Sequence, residues 1–311
     1  MLRKIWVIRL HYLIVIVAIS LIGTISRVHA QSLEPRAYSN APVGLNFIVA
    51  GYQNSRGALL FDTSLPITDA NADVDLGLIG YVRTLGVAGN LAKFGVLLPY
   101  TSVSASGFVD GIFRTRDTTG LADPTFYFSY NFYGAPALSL KEFRNFQPGT
   151  VSGFTVKLTA PLGEYEPDKL INISTNRWSI APGIGISKPI GNWTLEASAA
   201  ATFYTDNNNF DNGKTRQQDN IYSTQFHVTY SFPRNIWAAI GATYFTGGRT
   251  TIDGVEKNDL QQNWRAGFTL ALPVNRYHSI KLYGSRGVSQ RTGNNFDTLG
   301  LAWQYRWVAG L

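Results

Sequence analysis

The chain contains no cysteine, which excludes a disulfide framework, a thiolate metal site and a cysteine nucleophile. Charged residues make up only 15% of its 311 positions, against about 25% in an ordinary soluble domain. Beyond the first thirty residues it lacks any run of about 18 apolar residues, so no later helical membrane span is expected. What it does have is aromatic side chains, 18 Phe, 16 Tyr and 7 Trp, with 30 Gly. That aromatic content, beside a modest net charge of +7, excludes a disordered chain.

The N-terminus reads as a secretory leader. Arg3, Lys4 and Arg9 form a basic start, Leu13 to Gly23 an apolar core, and Val28-His29-Ala30 a small-x-small cleavage site, so residues 1–30 are expected to be removed before Gln31. A membrane anchor helix is the alternative, but the apolar core is short for the ~20 residues a span needs. Without the leader's four bases, 23 basic residues face 20 acids, a net of +3. That balance lacks the basic footprint of a nucleic-acid-binding surface, and no nucleic-acid partner is expected.

After the leader the hydrophobic period is two. Tyr222, Phe226, Val228, Tyr230 and Phe232 alternate with Ser223, Gln225, His227, Thr229 and Ser231. Trp264, Phe268, Leu270 and Leu272 alternate with Asn263, Arg265 and Thr269, and the C-terminal Leu299, Leu301, Trp303, Tyr305 and Trp307 repeat the pattern. Successive side chains of a strand point to opposite faces, so each segment is a strand with one apolar and one polar surface. A soluble sandwich turns the apolar face inward, whereas a membrane barrel turns it to lipid. Segment lengths of ~10–13 residues favour the barrel, because a tilted crossing takes ~9–11 and soluble strands average ~5–6. So do aromatic residues near the ends of apolar faces: Trp178, Trp193, Tyr244, Trp303 and Trp307.

Twelve strands are expected, at about 44–53, 72–84, 90–101, 123–133, 151–161, 176–188, 192–205, 219–232, 235–246, 260–272, 277–289 and 296–308. The fold class is thus all-β, an antiparallel transmembrane β-barrel over 44–311. Short connections (85–89, 189–191, 233–234, 273–276) alternate with long ones (54–71, 102–122, 162–175, 206–218, 247–259, 290–295). Outer-membrane barrels place short turns in the periplasm and long loops outside. Residues 134–150 break this rule on the short-turn side, with a short helix expected within 138–146.

Several segments carry a family resemblance. Leu33 to Phe47, Gly120-Leu121-Ala122-Asp123-Pro124, Pro161 to Trp178, Tyr204 to Phe210, Arg286 to Asp297 and the ending Trp303 to Trp307 resemble the outer-membrane transporter family named for the MetA pathway of phenol degradation. Ala122 departs from a glycine of that pattern. The resemblance implies an outer-membrane barrel of a Gram-negative bacterium that passes small, aromatic or apolar organic compounds. Its partners would be the permeant, membrane lipid and lipopolysaccharide, and the outer-membrane assembly machinery. A barrel with a structural or surface-binding role, without transport, is the alternative.

Side chains expected to line the lumen are Asp75, Arg83, Lys157, Arg177, Glu196, His227, Arg265, Lys281 and Arg306. Such charges either choose permeants by their field, as charged rings do in pores, or pair across strands to hold the barrel together. Arg265 and Lys281 are expected as an inward pair on adjacent strands. Residues 31–43, with Pro35 and Pro42, either enter the lumen as a small plug or hang in the periplasm.

No metal or cofactor is expected. Asp206 to Gly213 is rich in oxygen ligands, but its spacing matches no calcium loop. Gly183-Ile184-Gly185 lacks the third glycine and the helix of a dinucleotide motif. Catalysis is not expected either. His278 and Ser279 are adjacent and so point to opposite faces, while Ser223 and Ser231 each lie about 13 Å from His227 along one strand. Glu196 on the preceding strand is placed to reach His227, which without a nucleophile reads as an ion pair.

Overall fold

The computed structural model describes residues 34–60, 67–109 and 111–308; the expected leader at 1–30 lies outside them. The alternating segments form strands throughout. β1 (Leu45–Leu60), β2 (Ile67–Val87) and β3 (Asn90–Val109) lead into β4 (Ile112–Leu121) and β5 (Thr125–Tyr133). After a short helix α1 (Leu140–Phe143) come β6 (Val151–Thr159), β7 (Ser179–Ile190) and β8 (Trp193–Tyr204). The short β9 (Asn207–Phe210) and β10 (Lys214–Gln218) precede β11 (Ile221–Ser231) and β12 (Trp237–Gly247). β13 (Thr250–Ile252) and β14 (Val255–Glu256) precede β15 (Gln261–Pro273), β16 (His278–Ser289) and β17 (Gly293–Val308).

Twelve of these strands close into an antiparallel barrel. Each long strand pairs with the next, β3 with β5, β8 with β11 and β12 with β15, and β17 returns to β1. Closure leaves the twelve-stranded wall without a free edge, as a lipid environment demands of a β-sheet. The outward face is apolar and uncovered: Ile79 is 63%, Ile240 66% and Phe226 52% exposed. In a soluble protein these side chains would form the core; here they form a lipid-facing band. From Tyr222 to Phe232 the outward set runs roughly 33 Å along the strand, or about 25 Å in height at a tilt of ~40°.

Aromatic rings gather at both rims of this band. At the short-turn end, Trp193, Tyr230 and Phe232 stack edge to face, with centroids 4.7 Å apart at each step. Trp303, Tyr305 and Trp307 on β17, elsewhere around the same rim, lie nearly parallel. At the other rim Tyr244 packs on Trp264 at 4.9 Å. Rings with one polar edge suit the headgroup level, so the girdles fix the barrel's depth.

Two long connections differ from the expected loops. Most of 54–71 and 102–122 continues as strand: β1 with β2, and β3 with β4, extend as paired ribbons beyond the lipid band. The connections 206–218 and 247–259 also carry structure, a four-stranded sheet in the order β14-β13-β10-β9. On the short-turn side, α1 is the helix expected within 138–146. Its N-terminus is closed by a capping box in which Ser139 and Glu142 bond each other's backbone N–H groups.

Candidate functional site

Register decides which side chains reach the lumen. Phe94, Leu98 and Tyr100 of β3 are exposed to lipid, so the interleaved Lys93, Gly95 and Leu97 face inward. Tyr127 lies opposite Gly95, and Lys157 opposite Tyr127, on the same inner surface. Lys281 and Tyr283 of β16, Glu196 of β8 and His227 of β11 complete this surface, with His227 opposite Glu196. Lys93, Glu196 and Lys281 each stand three residues in from the short-turn end of their strands, about 10 Å along the wall.

The described part of the N-terminal segment, 34–43, lies against this inner wall. The Lys93 ammonium donates to the carbonyls of Ala37 (2.7 Å) and Ser39 (3.1 Å), and the Asn131 amide donates to Tyr38 O (3.0 Å). The Arg36 N–H donates to Glu196 Oε2 at 2.5 Å, and Lys281 Nζ lies 2.6 Å from Glu34 Oε2. Thr84 Oγ1 donates to Pro42 O, tying the segment to β2 just before β1 begins. The Tyr38 ring, 2% exposed, is seated over Gly153 and Gly185, which face each other across β6 and β7. A Cβ on Gly185 would come within 2.2 Å of that ring, so glycine here makes the seat. Glu34 is held below the usual carboxylate range, first by the Lys281 ammonium and further by Lys157 and Lys93. The ion pair with Lys281 is therefore complete above the ordinary carboxylate pKa and is lost only as pH falls through the lowered one.

Along β1–β3, farther from the short turns than Lys93, the wall changes character. Val49 of β1, Leu78 of β2 and Leu97 of β3 share the inner face with Gly51 and Gly80. An inward Cβ on Gly80 would meet Leu97 and Val49, and one on Gly51 would meet Leu78 and Ala302. The lumen thus has an apolar strip on β1–β3, flanked by Lys281 on β16 and Lys157 on β6, with the Lys93 ammonium on β3 at its short-turn end. Lys157 has no hydrogen-bond partner among the described residues.

Of the nine expected lumen residues, Lys157, Glu196, His227, Arg265 and Lys281 face inward. Asp75 and Arg83 do not. They share the parity of Ile79, which pairs with Leu98 on the lipid side. Asp75 accepts from Tyr52 Oη and from Asn54 at 2.8 Å, beside an Arg56–Asp73 ion pair of 2.7 Å, on the outer surface of the β1–β2 extension. Beyond the lipid band that surface is wet, so charge there is inexpensive. Arg83 sits exposed at the short-turn rim.

Arg177 is buried among the loops, its guanidinium 4.4 Å from the Tyr204 ring centre and bonded to Gln218 Oε1. Burial pushes that guanidinium down to about 10, which still leaves it charged at neutral pH. Arg306 has inward parity but lies exposed at the rim, donating to Arg276 O at 2.7 Å. Arg265 and Lys281 are not neighbours. Arg265 is opposite Gly287 and Lys281 opposite Ala271, a separation of roughly 20 Å along the wall. Arg265 instead reaches Phe296 O at 3.0 Å near the loop end.

Lys93, Tyr127 and Tyr283 were absent from the sequence expectations. For Lys93 the signal was present, since it interleaves with Phe94, Val96, Leu98 and Tyr100. For Glu34 and Arg36 no periodic signal exists, because the segment is not a strand.

The blocks Gly120–Pro124 and Pro161–Trp178 meet at the loop end. The buried Asp123 carboxylate, between β4 and β5, accepts from Gly163 N (3.1 Å), Ser174 Oγ (2.6 Å) and Thr175 N (2.9 Å). It thereby pins the connection 160–178 to the wall. Ile171 of that connection packs on Phe296, Ala72 and Ala105.

No curated protein matches this chain. Among solved structures it is similar to the COG4313 outer membrane channel from Pseudomonas putida F1, at 24% identity and a TM-score of 0.76, covering 89% of this chain and 100% of that one. It is also similar to the translocator domain of the autotransporter NalP from Neisseria meningitidis, at 10% identity and a TM-score of 0.50, covering 88% and 91%. These likenesses show the barrel fold. The family model described as "Putative MetA-pathway of phenol degradation" matches residues 52–305, nearly the whole barrel, and this chain belongs to that family.

Proposed function

We propose that this protein is an outer-membrane channel for small organic compounds with an apolar or aromatic body, passed by diffusion through the lumen and without catalysis. One observation carries this function: the inner wall sets the apolar strip Val49, Leu78 and Leu97 beside Lys93, Lys157 and Lys281, with the first described residues of the chain narrowing the passage next to them. Family membership supports it, as does similarity to a bacterial outer membrane channel. The excess of cations in a confined, partly dehydrated passage favours anionic over cationic permeants, because water screens less there than in bulk. His227 packs over Gly241, and Glu196 beside it is engaged by the Arg36 N–H, which supports a role without proton transfer.

Proteoliposomes holding the purified protein are expected to admit benzoate faster than benzylammonium, a cation of similar size. Equal entry of the two would remove the electrostatic part of the proposal, and no flux of either would overturn the channel.

In this function the short turns face the periplasm, where the assembly machinery meets the chain, and the longer connections face outward among lipopolysaccharide. An epitope inserted at Asp211, in the turn between β9 and β10, should be reachable on intact cells, whereas one at Pro233 should not. The reverse pattern would invert the orientation.

A further inference from the structure

The inner row that contains Lys281 runs across neighbouring strands as Lys281, Ala302, Gly51 and Leu78, each in register with the next. Adjacent strands stand about 4.8 Å apart, so a cation and a leucine are separated by a floor two small residues wide, roughly 14 Å end to end. Tyr283, the next inward residue of β16, lies over Gly300 and borders that floor with its ring. A cation, a flat apolar floor and a bordering aromatic ring form a site for a small aromatic or apolar carboxylate. The cationic end is occupied by a carboxylate of the chain itself, Glu34, at 2.6 Å from Lys281.

That internal pair is open to exchange. The Glu34 side chain is 74% exposed, and that of Lys281 22%. A second lumen carboxylate, Glu196, is already engaged by the Arg36 N–H. Lys93 is held by two neutral carbonyls, and Lys157 carries no hydrogen bond among the described residues, so removing Glu34 leaves three lysines short of one negative charge.

Resting on the channel function above, we propose that Glu34 occupies the binding site of a permeant carboxylate. An aromatic carboxylate entering the row Lys281, Ala302, Gly51 and Leu78 takes Lys281 from Glu34 and loosens segment 34–43 from the wall. The permeant class is thereby a small carboxylate with an apolar body, and the same contact that recognises it opens its path.

The absence of cysteine supplies a clean reporter. In a Ser39→Cys protein in detergent or liposomes, the labelling rate by a small thiol reagent reads release of the segment. Benzoate should raise that rate, while benzyl alcohol, of similar size and neutral, should not. Exposed ion pairs are weak, and the expected change is up to about fivefold. Adding Glu34→Gln or Lys281→Gln should make labelling fast without benzoate and abolish the response.

A benzoate response that persists unchanged in both variants, or an equal response to benzyl alcohol, overturns the displacement while leaving the channel intact. Ion conductance of the same samples separates the two ideas. If the unmodified protein conducts neither ions nor solutes, the channel and the displacement fall together. If it conducts but Ser39→Cys labelling ignores benzoate, only the displacement falls. Glu34 lies outside the wall, so Glu34→Gln is not expected to disturb barrel assembly, and heat-modifiable gel mobility checks this.

Discussion

Phe268→Arg should fail to assemble, while the neighbouring Thr269→Arg assembles normally. Phe268 is 50% exposed on the outer face of β15, in register with Ile240, itself 66% exposed, and it lies between the Trp264 rim and the short-turn end. An arginine at that depth meets hydrocarbon and costs about 2–4 kcal/mol near the midplane. Each ~1.4 kcal/mol is a tenfold change, so the folded fraction should fall by roughly 30- to 1000-fold relative to unfolded chain. Thr269 points inward, opposite Tyr283 and Ala239, where a guanidinium keeps its water. Heat-modifiable gel mobility after refolding into lipid separates folded from unfolded barrel. Equal assembly of the two variants would show that the inner and outer faces are misassigned.

Gly185→Leu should open the lumen without unfolding the wall. Gly185 is an ordinary strand residue facing inward, so the substitution acts through space. Its Cβ would lie 2.2 Å from the Tyr38 ring, and the larger side chain would take the volume in which that ring is seated. Burying a large apolar side chain stabilises by about 1.5–3 kcal/mol, and that is the contribution lost when Tyr38 leaves its seat. The population with segment 34–43 against the wall should then fall by roughly 10- to 100-fold relative to the released form. Single-channel conductance should rise, with gel mobility unchanged. Tyr38→Ala removes the ring and leaves the wall intact, and it should raise conductance in the same direction. If neither variant changes conductance, the segment does not limit the passage.

These two experiments bear on different parts of the sequence's information. The lipid face was legible residue by residue wherever one parity was apolar and the other polar. Phe226 against His227 and Phe268 against Thr269 leave one orientation with a tolerable desolvation cost. β2 offered no such contrast. Leu76, Leu78 and Val82 alternate with Ile79 and Tyr81, so both faces are apolar and only pairing with β1 and β3 settles which is outside. That ambiguity placed Asp75 and Arg83 in the lumen in the sequence expectations. Their charges did not contradict the placement, because a charge is stable either in a wet lumen or on a strand extension beyond the lipid. The ribbons of β1–β2 and β3–β4 were read as loops for a related reason: outside the membrane both faces meet water, and the period of two fades from the composition while the backbone pairing continues.

By itself the sequence determined the class of the fold and the number of crossings, since a repeated two-residue period with aromatic rims has one low-energy arrangement in a bilayer. It also determined the family, through blocks of which the buried Asp123 joins two at the loop end. What it did not determine was every relation that depends on register or on irregular chain. Arg265 and Lys281 lie on adjacent strands, yet the pairing of β15 with β16 sets them roughly 20 Å apart. Segment 34–43 has no periodicity to betray its position. Its location rests on Lys93, Asn131, Glu196 and Lys281, which sequence separation keeps far from it and which only the closed barrel brings around one small volume. Local periodicity is encoded within each strand, whereas the contents of the lumen follow from how twelve strands close, and closure is a property of the whole chain.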